Sequence, residues 1–183
     1  MSESPLTIMF LAAARFDANQ TVRGAFLLTD AETKPLEFRC TNPIRPTKLQ
    51  NMLYGEILDE YILVELIGQP LVKSAQTAPR LVLVNDPKFL QLRTKIVIPV
   101  VLVTKEERIH TTDAGLFQML SSVSGKFDPV VISIHPEFSD DKEVARQLLT
   151  EVFNRQDLAE PFTRVLTALE QVHVQKVGEG QSS

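Results

Sequence analysis

The segment RLVLVNDPKFLQLRTKIVIPVVLV, residues 80–103, decides the fold class. Its two apolar runs, 80–84 and 96–103, are too short for globular helices and are typical of strands that are buried on both faces. Between them, Asp86 can cap a short helix and Pro87 suits its first position. Strand, short helix and strand in succession predict parallel strands joined by a right-handed crossover, and therefore an α/β fold.

Three further strands are expected before this segment. Residues 7–14 and 22–29 are rich in strand-forming residues, and the polar turn Asp17-Ala-Asn-Gln-Thr joins them, which predicts a hairpin. Apolar and polar residues then alternate over 36–41, the period of a half-buried strand. We therefore expect a mixed β-sheet that opens with three antiparallel strands and continues with parallel ones.

Helix start and stop signals organise the remaining chain into one α/β domain over residues 1–175, with helices on both faces of the sheet and a flexible tail over 176–183. Thr47 and Gln50 form a capping box ahead of a long apolar helix that ends near Gly68 and Pro70. The other elements are expected as a helix over 112–123, a last strand over 130–134, and helices over 141–154 and 158–174.

Composition narrows the classes of function. The formal net charge of −4 disfavours nucleic acid as a partner, and the densest basic neighbourhood, Arg39, Arg45 and Lys48, is interpreted as a solvated rim. The single cysteine, Cys40, excludes an internal disulfide framework and is expected to be a buried, inert thiol. No basic residue precedes the first apolar run and no apolar run is long enough to span a membrane, so we expect a cytoplasmic protein.

The common catalytic motifs do not occur in the sequence. Gly125-Lys126 lacks the rest of a phosphate-binding loop, and the serines over 121–124 stand in no nucleophile turn. The three histidines, His110, His135 and His173, are far apart along the chain and form no local zinc-binding pair.

Two residues at strand ends are the remaining candidates from local sequence. Asp86 directly follows a buried strand, where α/β proteins place ligand-binding groups, although a helix cap also explains it. His135 also ends a strand, and histidine is the residue type most often used as a general acid or base, although a neutral loop histidine is the commoner explanation. Together these two residues define one alternative function, a small-ligand-binding domain.

The order of elements resembles the RNase H-like fold, although no motif identifies a family. Nucleases of that fold hold divalent metals with carboxylates on the first strand, the first helix and the fourth strand. The resemblance implies Asp17, Glu56 and Asp86 as the corresponding metal-binding and catalytic acids, with Mg²⁺ or Mn²⁺ activating water against a phosphodiester. Asp17 departs from that pattern because it follows the first strand, where residues 10–14 carry no acid.

The long helix carries more apolar residues over 57–72 than one sheet-facing stripe requires. Either the two C-terminal helices cover this surplus or another subunit does, and an interface would use Ile62, Leu63, Leu66, Phe162 and Leu166. The leading interpretation is therefore a non-catalytic, cofactor-free scaffold, adaptor or subunit that binds a protein partner or itself as a homo-oligomer. The alternatives are a divergent metal-dependent phosphodiesterase or nuclease, and a small-ligand-binding domain.

Overall fold

The computed structural model describes residues 4–105 and 117–179 as a seven-stranded mixed sheet with helices on both faces. This architecture confirms the fold class expected from the sequence. The strands are β1 (Ile8–Phe16), β2 (Thr21–Thr29), β3 (Pro35–Cys40), β4 (Leu81–Val84), β5 (Val100–Lys105), β6 (Phe117–Leu120) and β7 (Val130–Ile134). The helices are α1 (Lys48–Tyr54), α2 (Leu58–Tyr61), α3 (Gln69–Ser74), α4 (Asp141–Arg155) and α5 (Glu160–Glu179). Helix α5 thus continues past residue 175, where the tail was expected to begin.

The strand order across the sheet is β3-β2-β1-β4-β5-β7-β6. Strands β1, β4 and β5 are parallel to one another, whereas β2, β3, β6 and β7 join through antiparallel pairs. The helix predicted over 112–123 is wrong where it can be compared, because 117–120 is strand β6, and residues 112–116 lie outside the described residues. A short apolar run fits the period of a helix as well as that of a strand, and pairing with β7 makes this one a strand.

Helical segments of different type follow one another over residues 48–74, and together we call them the rod. Gly55, which follows α1, has φ 56° and ψ −131°, so the backbone leaves the helical conformation there. The capping box is confirmed, since the Gln50 amide donates to Thr47 Oγ1 and the Thr47 amide donates to Gln50 Oε1. A 3₁₀ turn (Gly55–Ile57) separates α1 from α2, and a π-helical segment (Ile62–Gly68) separates α2 from α3. After β4, a 3₁₀ helix (Pro87–Thr94) is capped by Asp86 as expected. None of the helices in the described residues is long and apolar enough to cross a membrane.

The sheet separates two apolar cores. Alternate residues of β1 point to opposite faces: Met9 and Leu11 meet the rod, whereas Ile8 and Phe10 meet α4 and α5. The sequence suggested that the two C-terminal helices could cover the surplus apolar residues of the rod. They do not, because they pack on the opposite face of the sheet. The sheet and the 3₁₀ helix cover its second half, and the side chains that do so include Phe26, Leu28, Phe89 and Leu92.

The π-helical segment packs unusually closely on strand β2. A Cβ atom built on Gly24 would overlap the Cγ2 methyl of Ile67, whose side chain is fully buried. Glycine at position 24 therefore lets the rod approach the backbone of the sheet. A π-helical stretch inside an α-helical rod is uncommon, and here it forms the part of the rod that lies against β2.

We expect Gly24→Ala to lower the free energy of unfolding by about 1–3 kcal/mol, because the added methyl has no space beside Ile67. Urea denaturation followed by circular dichroism measures the change. In an Ile67→Ala background the same substitution should cost clearly less, since the clashing methyl is gone. Equal costs in the two backgrounds would contradict the close approach.

Candidate functional site

The carboxyl ends of β1, β4 and β5 meet at one edge of the sheet. The pairing of β1 with β4 ends at Leu11 and Val84, so residues 12–16 of β1 extend past the end of β4. Crevices at this edge are the usual ligand site in open α/β sheets. Arg15, near the end of β1, points to the rod side and is exposed.

An ion network ties three elements together at this edge. Arg15 Nη2 lies 2.7 Å from Asp59 Oδ1, and Lys88 Nζ lies 3.3 Å from Asp59 Oδ2. Partial burial would raise the pKa of Asp59, but the hydrogen bonds and charges of Arg15 and Lys88 lower it below its ordinary value. The network carries two cations and one anion, so it retains net positive charge at neutral pH.

A cleft of about 370 Å³ lies beside this network, between the β1–β2 turn and the start of the rod. The basic cleft, as we name it, is lined by three cations, Arg15, Arg45 and Lys48. Asp59 is the one acid among the described residues that line it, and the side-chain amides of Asn19, Gln20 and Asn51 add hydrogen-bond donors. The local charge is therefore opposite in sign to the net charge of the chain.

The β1–β2 turn that borders the basic cleft is strained. Asp17, Ala18 and Asn19 have φ angles of 53°, 52° and 70°, in the left-handed region that disfavours residues with a side chain. The Asp17 carboxylate holds the turn, accepting from Thr21 Oγ1 at 2.7 Å and from Arg45 Nη2 at 2.9 Å. The Thr21 hydrogen bond is the largest of the interactions that lower the pKa of Asp17 below its ordinary value.

A buried polar cluster supports the turn from behind. The guanidinium of Arg23 is fully buried and donates through Nε and Nη2 to the Thr41 carbonyl. Its Nη1 lies 3.5 Å from His173 Nδ1, and His173 Nε2 lies 3.4 Å from Asp17 Oδ1. Because Arg23 can only donate, Nδ1 must accept and Nε2 must donate to Asp17. Helix α5 is thereby linked to the turn through His173.

The structure does not bring the three predicted acids together. Asp17 is engaged by the turn, Asp86 accepts from the Lys88 amide at 2.9 Å as a helix cap, and Glu56 is exposed on the rod. Within residues 4–105 and 117–179, no group of three or more His, Cys, Asp or Glu side chains is placed to hold a metal ion. The residues present therefore do not form a ready-made site for Mg²⁺ or Mn²⁺.

His135 lies away from this edge. Strand β7 runs antiparallel to β5, so its end points toward the amino ends of β4 and β5. His135 Nδ1 accepts from the Glu137 amide at 3.2 Å, and Nε2 lies 3.3 Å from Gln91 Oε1, so both ring nitrogens of this buried side chain have partners within the chain. The expected pairing of His135 with Asp86 around one ligand depended on a parallel last strand, which the sheet does not have.

The predicted interface residues lie largely inside the chain's own cores. Ile62 and Leu63 are buried against the sheet and Phe162 against its other face, whereas Leu66 and Leu166 are partly buried. The exposed apolar residues of the rod lie earlier, on α1 and the 3₁₀ turn. They are Leu49, Met52, Leu53 and Ile57, each more than 60% exposed.

Sequence reasoning missed Arg15, Asp59 and Lys88, which belong to three different elements. No local motif signals such a group. Arg45 and Lys48 were noticed as a basic neighbourhood but interpreted as a rim, and Arg39 instead pairs with Glu37.

Comparison with solved structures identifies proteins of the same fold. No family model matches the chain, and no curated protein matches it by sequence. Among solved structures, endonuclease V of Streptomyces avermitilis aligns with a TM-score of 0.64 and 14% identity, covering 93% of this chain and 82% of that one. Human endonuclease V aligns at 0.54 and 14% identity, covering 95% and 86%. Endonuclease V of Ciona intestinalis, in complex with a 23-mer DNA containing an inosine, aligns at 0.51 and 11% identity, covering 94% and 87%.

These similarities show that the chain shares the fold of the endonuclease V structures, and they correct the scaffold interpretation, which is wrong. An adaptor or homo-oligomer that binds protein partners was inferred from missing motifs and surplus apolar surface, but the matching structures are endonucleases, one with DNA bound. The expectation that nucleic acid is disfavoured is corrected too, because net charge averages over a surface whose basic cleft is locally positive. The expectation that the protein has no cofactor depended on the scaffold interpretation, so it is corrected for the same reason.

We expect Ala18→Gly to raise the free energy of unfolding by about 0.5–1 kcal/mol, because glycine adopts the left-handed conformation of the turn without a steric penalty. Ala18→Val should lower it, since a β-branched residue fits that conformation worst. Thermal denaturation of the three proteins measures both effects. A stabilising valine would show that the turn is not strained at this position.

Proposed function

We propose that this chain acts on nucleic acid, which it binds by its phosphates in the basic cleft. The observation that carries the proposal is the cluster of Arg15, Arg45 and Lys48 at the carboxyl-end edge of a sheet whose fold is shared with endonuclease V. Arg and Lys side chains supply most of the affinity of proteins for the phosphate backbone. The side-chain amides of Asn19 and Asn51 add neutral donors to the same surface.

The ion pairs of the basic cleft leave its cations available to a phosphate. Arg45 is paired with Asp17 but keeps 65% of its side chain exposed, and Arg15 shares Asp59 with Lys88. Exposed pairs of this kind contribute little to stability and exchange readily. A phosphate can therefore replace the carboxylate contact of Arg15 or of Arg45 without unfolding the site.

Binding is tested by fluorescence anisotropy with a labelled DNA oligonucleotide containing an inosine, the kind of ligand present in the Ciona complex. Arg15→Ala, Arg45→Ala and Lys48→Ala should each weaken binding about three- to tenfold and reduce the slope of log K against log salt by about one. Asp59→Asn should tighten binding, because it removes the negative charge shared by Arg15 and Lys88.

Arg155→Ala is the matched control. Arg155 is an exposed, ion-paired arginine like Arg45, but it pairs with Glu32 in the β2–β3 connection at the opposite edge of the sheet. If Arg155→Ala weakened DNA binding as much as the cleft variants do, the loss of affinity would reflect net charge alone, and binding in the cleft would be refuted.

Phosphodiester cleavage with Mg²⁺ or Mn²⁺ is the second candidate function. The fold shared with endonuclease V favours it, as does the position of Asp59 and Asp86 at the carboxyl-end edge with Glu56 about one helical turn before Asp59. Among the described residues, these three acids do not form a group that could hold a metal ion, so we derive no catalytic step from them.

Cleavage of the same oligonucleotide with each metal, followed on a denaturing gel, tests this candidate. Cleavage lost in Glu56→Gln, Asp59→Asn and Asp86→Asn, with binding retained, is the expected result. Activity that persists in all three variants would reject these acids as the catalytic group.

A further inference from the structure

Tyr54 and Tyr61 form an aromatic pair on the side of the rod that faces away from the basic cleft. Their ring centroids are 4.6 Å apart and their planes differ by 28°, so the rings are stacked. Both residues are half-buried, and they line a groove of about 530 Å³ together with Ile57, Gln91 and Thr94. We call this the tyrosine groove.

The charges of the tyrosine groove differ from those of the basic cleft. Glu60 and Glu65 line it, and its one lysine, Lys95, lies 4.0 Å from Glu65. Such a groove repels phosphate but accepts a flat, uncharged ring. The Tyr54 phenol, then burial, then the charge of Glu65 raise the pKa of Tyr61 above its ordinary value, so the Tyr61 ring is neutral at physiological pH.

The basic cleft and the tyrosine groove lie on two sides of the same rod. Lys48, Asn51 and Asp59 line the cleft, whereas Tyr54 at the end of α1 and Tyr61 at the end of α2 line the groove. A helix with its side chains is about 10 Å across, so a few nucleotides would span it. Four apolar side chains on α1 and the 3₁₀ turn, Leu49, Met52, Leu53 and Ile57, are exposed, and α1 buries none of its own residues; we call these four the apolar ridge.

We propose that the tyrosine groove is a nucleobase-binding subsite, which stacks an unpaired base of a single-stranded segment whose phosphates lie in the basic cleft. This inference rests on the proposed function and adds its substrate class. Aromatic side chains bind bases of any sequence by stacking, and a positive groove that follows the phosphates is the usual companion of such platforms. In a duplex the faces of the bases are already stacked, so the subsite selects single strands or unpaired positions.

The positions of the basic cleft and the tyrosine groove also indicate which part of a bound strand would cover the apolar ridge. Exposed apolar residues that are close together mark a binding surface, and the bases of a strand that runs from the cleft to the groove would cover the apolar ridge. Phosphates are attracted to one side of the ridge by Arg45 and Lys48 and repelled on the other by Glu60 and Glu65. This asymmetry orients the backbone toward the cleft and the bases toward the ridge and the tyrosines.

Intrinsic fluorescence gives a direct test, because the chain contains two tyrosines and no tryptophan, so all of its tyrosine emission comes from this pair. A 20-nucleotide single-stranded DNA should quench the emission on binding, since stacked bases quench tyrosine. An abasic oligonucleotide of equal length, which keeps the phosphates but has no bases, should bind through the cleft without quenching.

Substitutions give the second test. Tyr54→Ala and Tyr61→Ala should each weaken single-strand binding about 5- to 100-fold, the range found when stacking residues are truncated. The double variant Tyr54→Phe with Tyr61→Phe keeps both rings and should retain the affinity. Binding of a blunt duplex of the same sequence should change less than about twofold in all of these variants.

The outcomes separate this inference from the proposed function. Binding that is lost in the cleft variants but unaffected by Tyr54→Ala and Tyr61→Ala, with no quenching, overturns the nucleobase subsite and leaves the proposed function standing. Absence of binding to every oligonucleotide overturns both. A dimer that forms without DNA and is lost in Leu53→Glu also overturns the subsite, because a second copy would then cover the ridge.

Discussion

The unequal pairing of the central strand is the constraint on which the rest of the structure depends. Strand β1 pairs with β2 over nine residues but with β4 over four. The second half of β1, which pairs with β2 alone, carries Arg15 past the end of β4. Arg15 there lines the basic cleft beside the β1–β2 turn.

The close contact between the rod and β2 fixes the other wall of the basic cleft. With no side chain at Gly24, the π-helical segment lies directly on the sheet, and this contact determines where α2 presents Asp59. Asp59 then bridges Arg15 and Lys88, which come from β1 and from the start of the 3₁₀ helix. The strained turn is held in a similar way, by Asp17 in front and by the buried Arg23 and His173 behind. Packing and polar contacts thus place cations that are distant in sequence on one surface.

The comparison with endonuclease V structures shows a shared fold. The resemblance to RNase H-like nucleases implied a carboxylate on the first strand, whereas β1 of this chain has alanines and Arg15 there, and its nearest acid, Asp17, is engaged by the turn. The edge of the sheet is consequently cationic. That character suits a phosphate backbone, and the tyrosines and apolar ridge behind it suit bases.

The sequence by itself determined the class of fold, because strand and helix periods and capping residues act locally. The three opening strands, the Thr47 cap, the Asp86 cap and the last strand all lie close to where their patterns place them. Strand β6 was mistaken for a helix, and the direction of β7 was not foreseen, because only pairing partners decide an ambiguous apolar run. Only part of the candidate site could be predicted from the sequence. Arg45 and Lys48 are neighbours in sequence, but Arg15, Asp59 and Lys88 meet only in the tertiary structure, since no local pattern records which strand ends first or how closely a helix approaches a sheet.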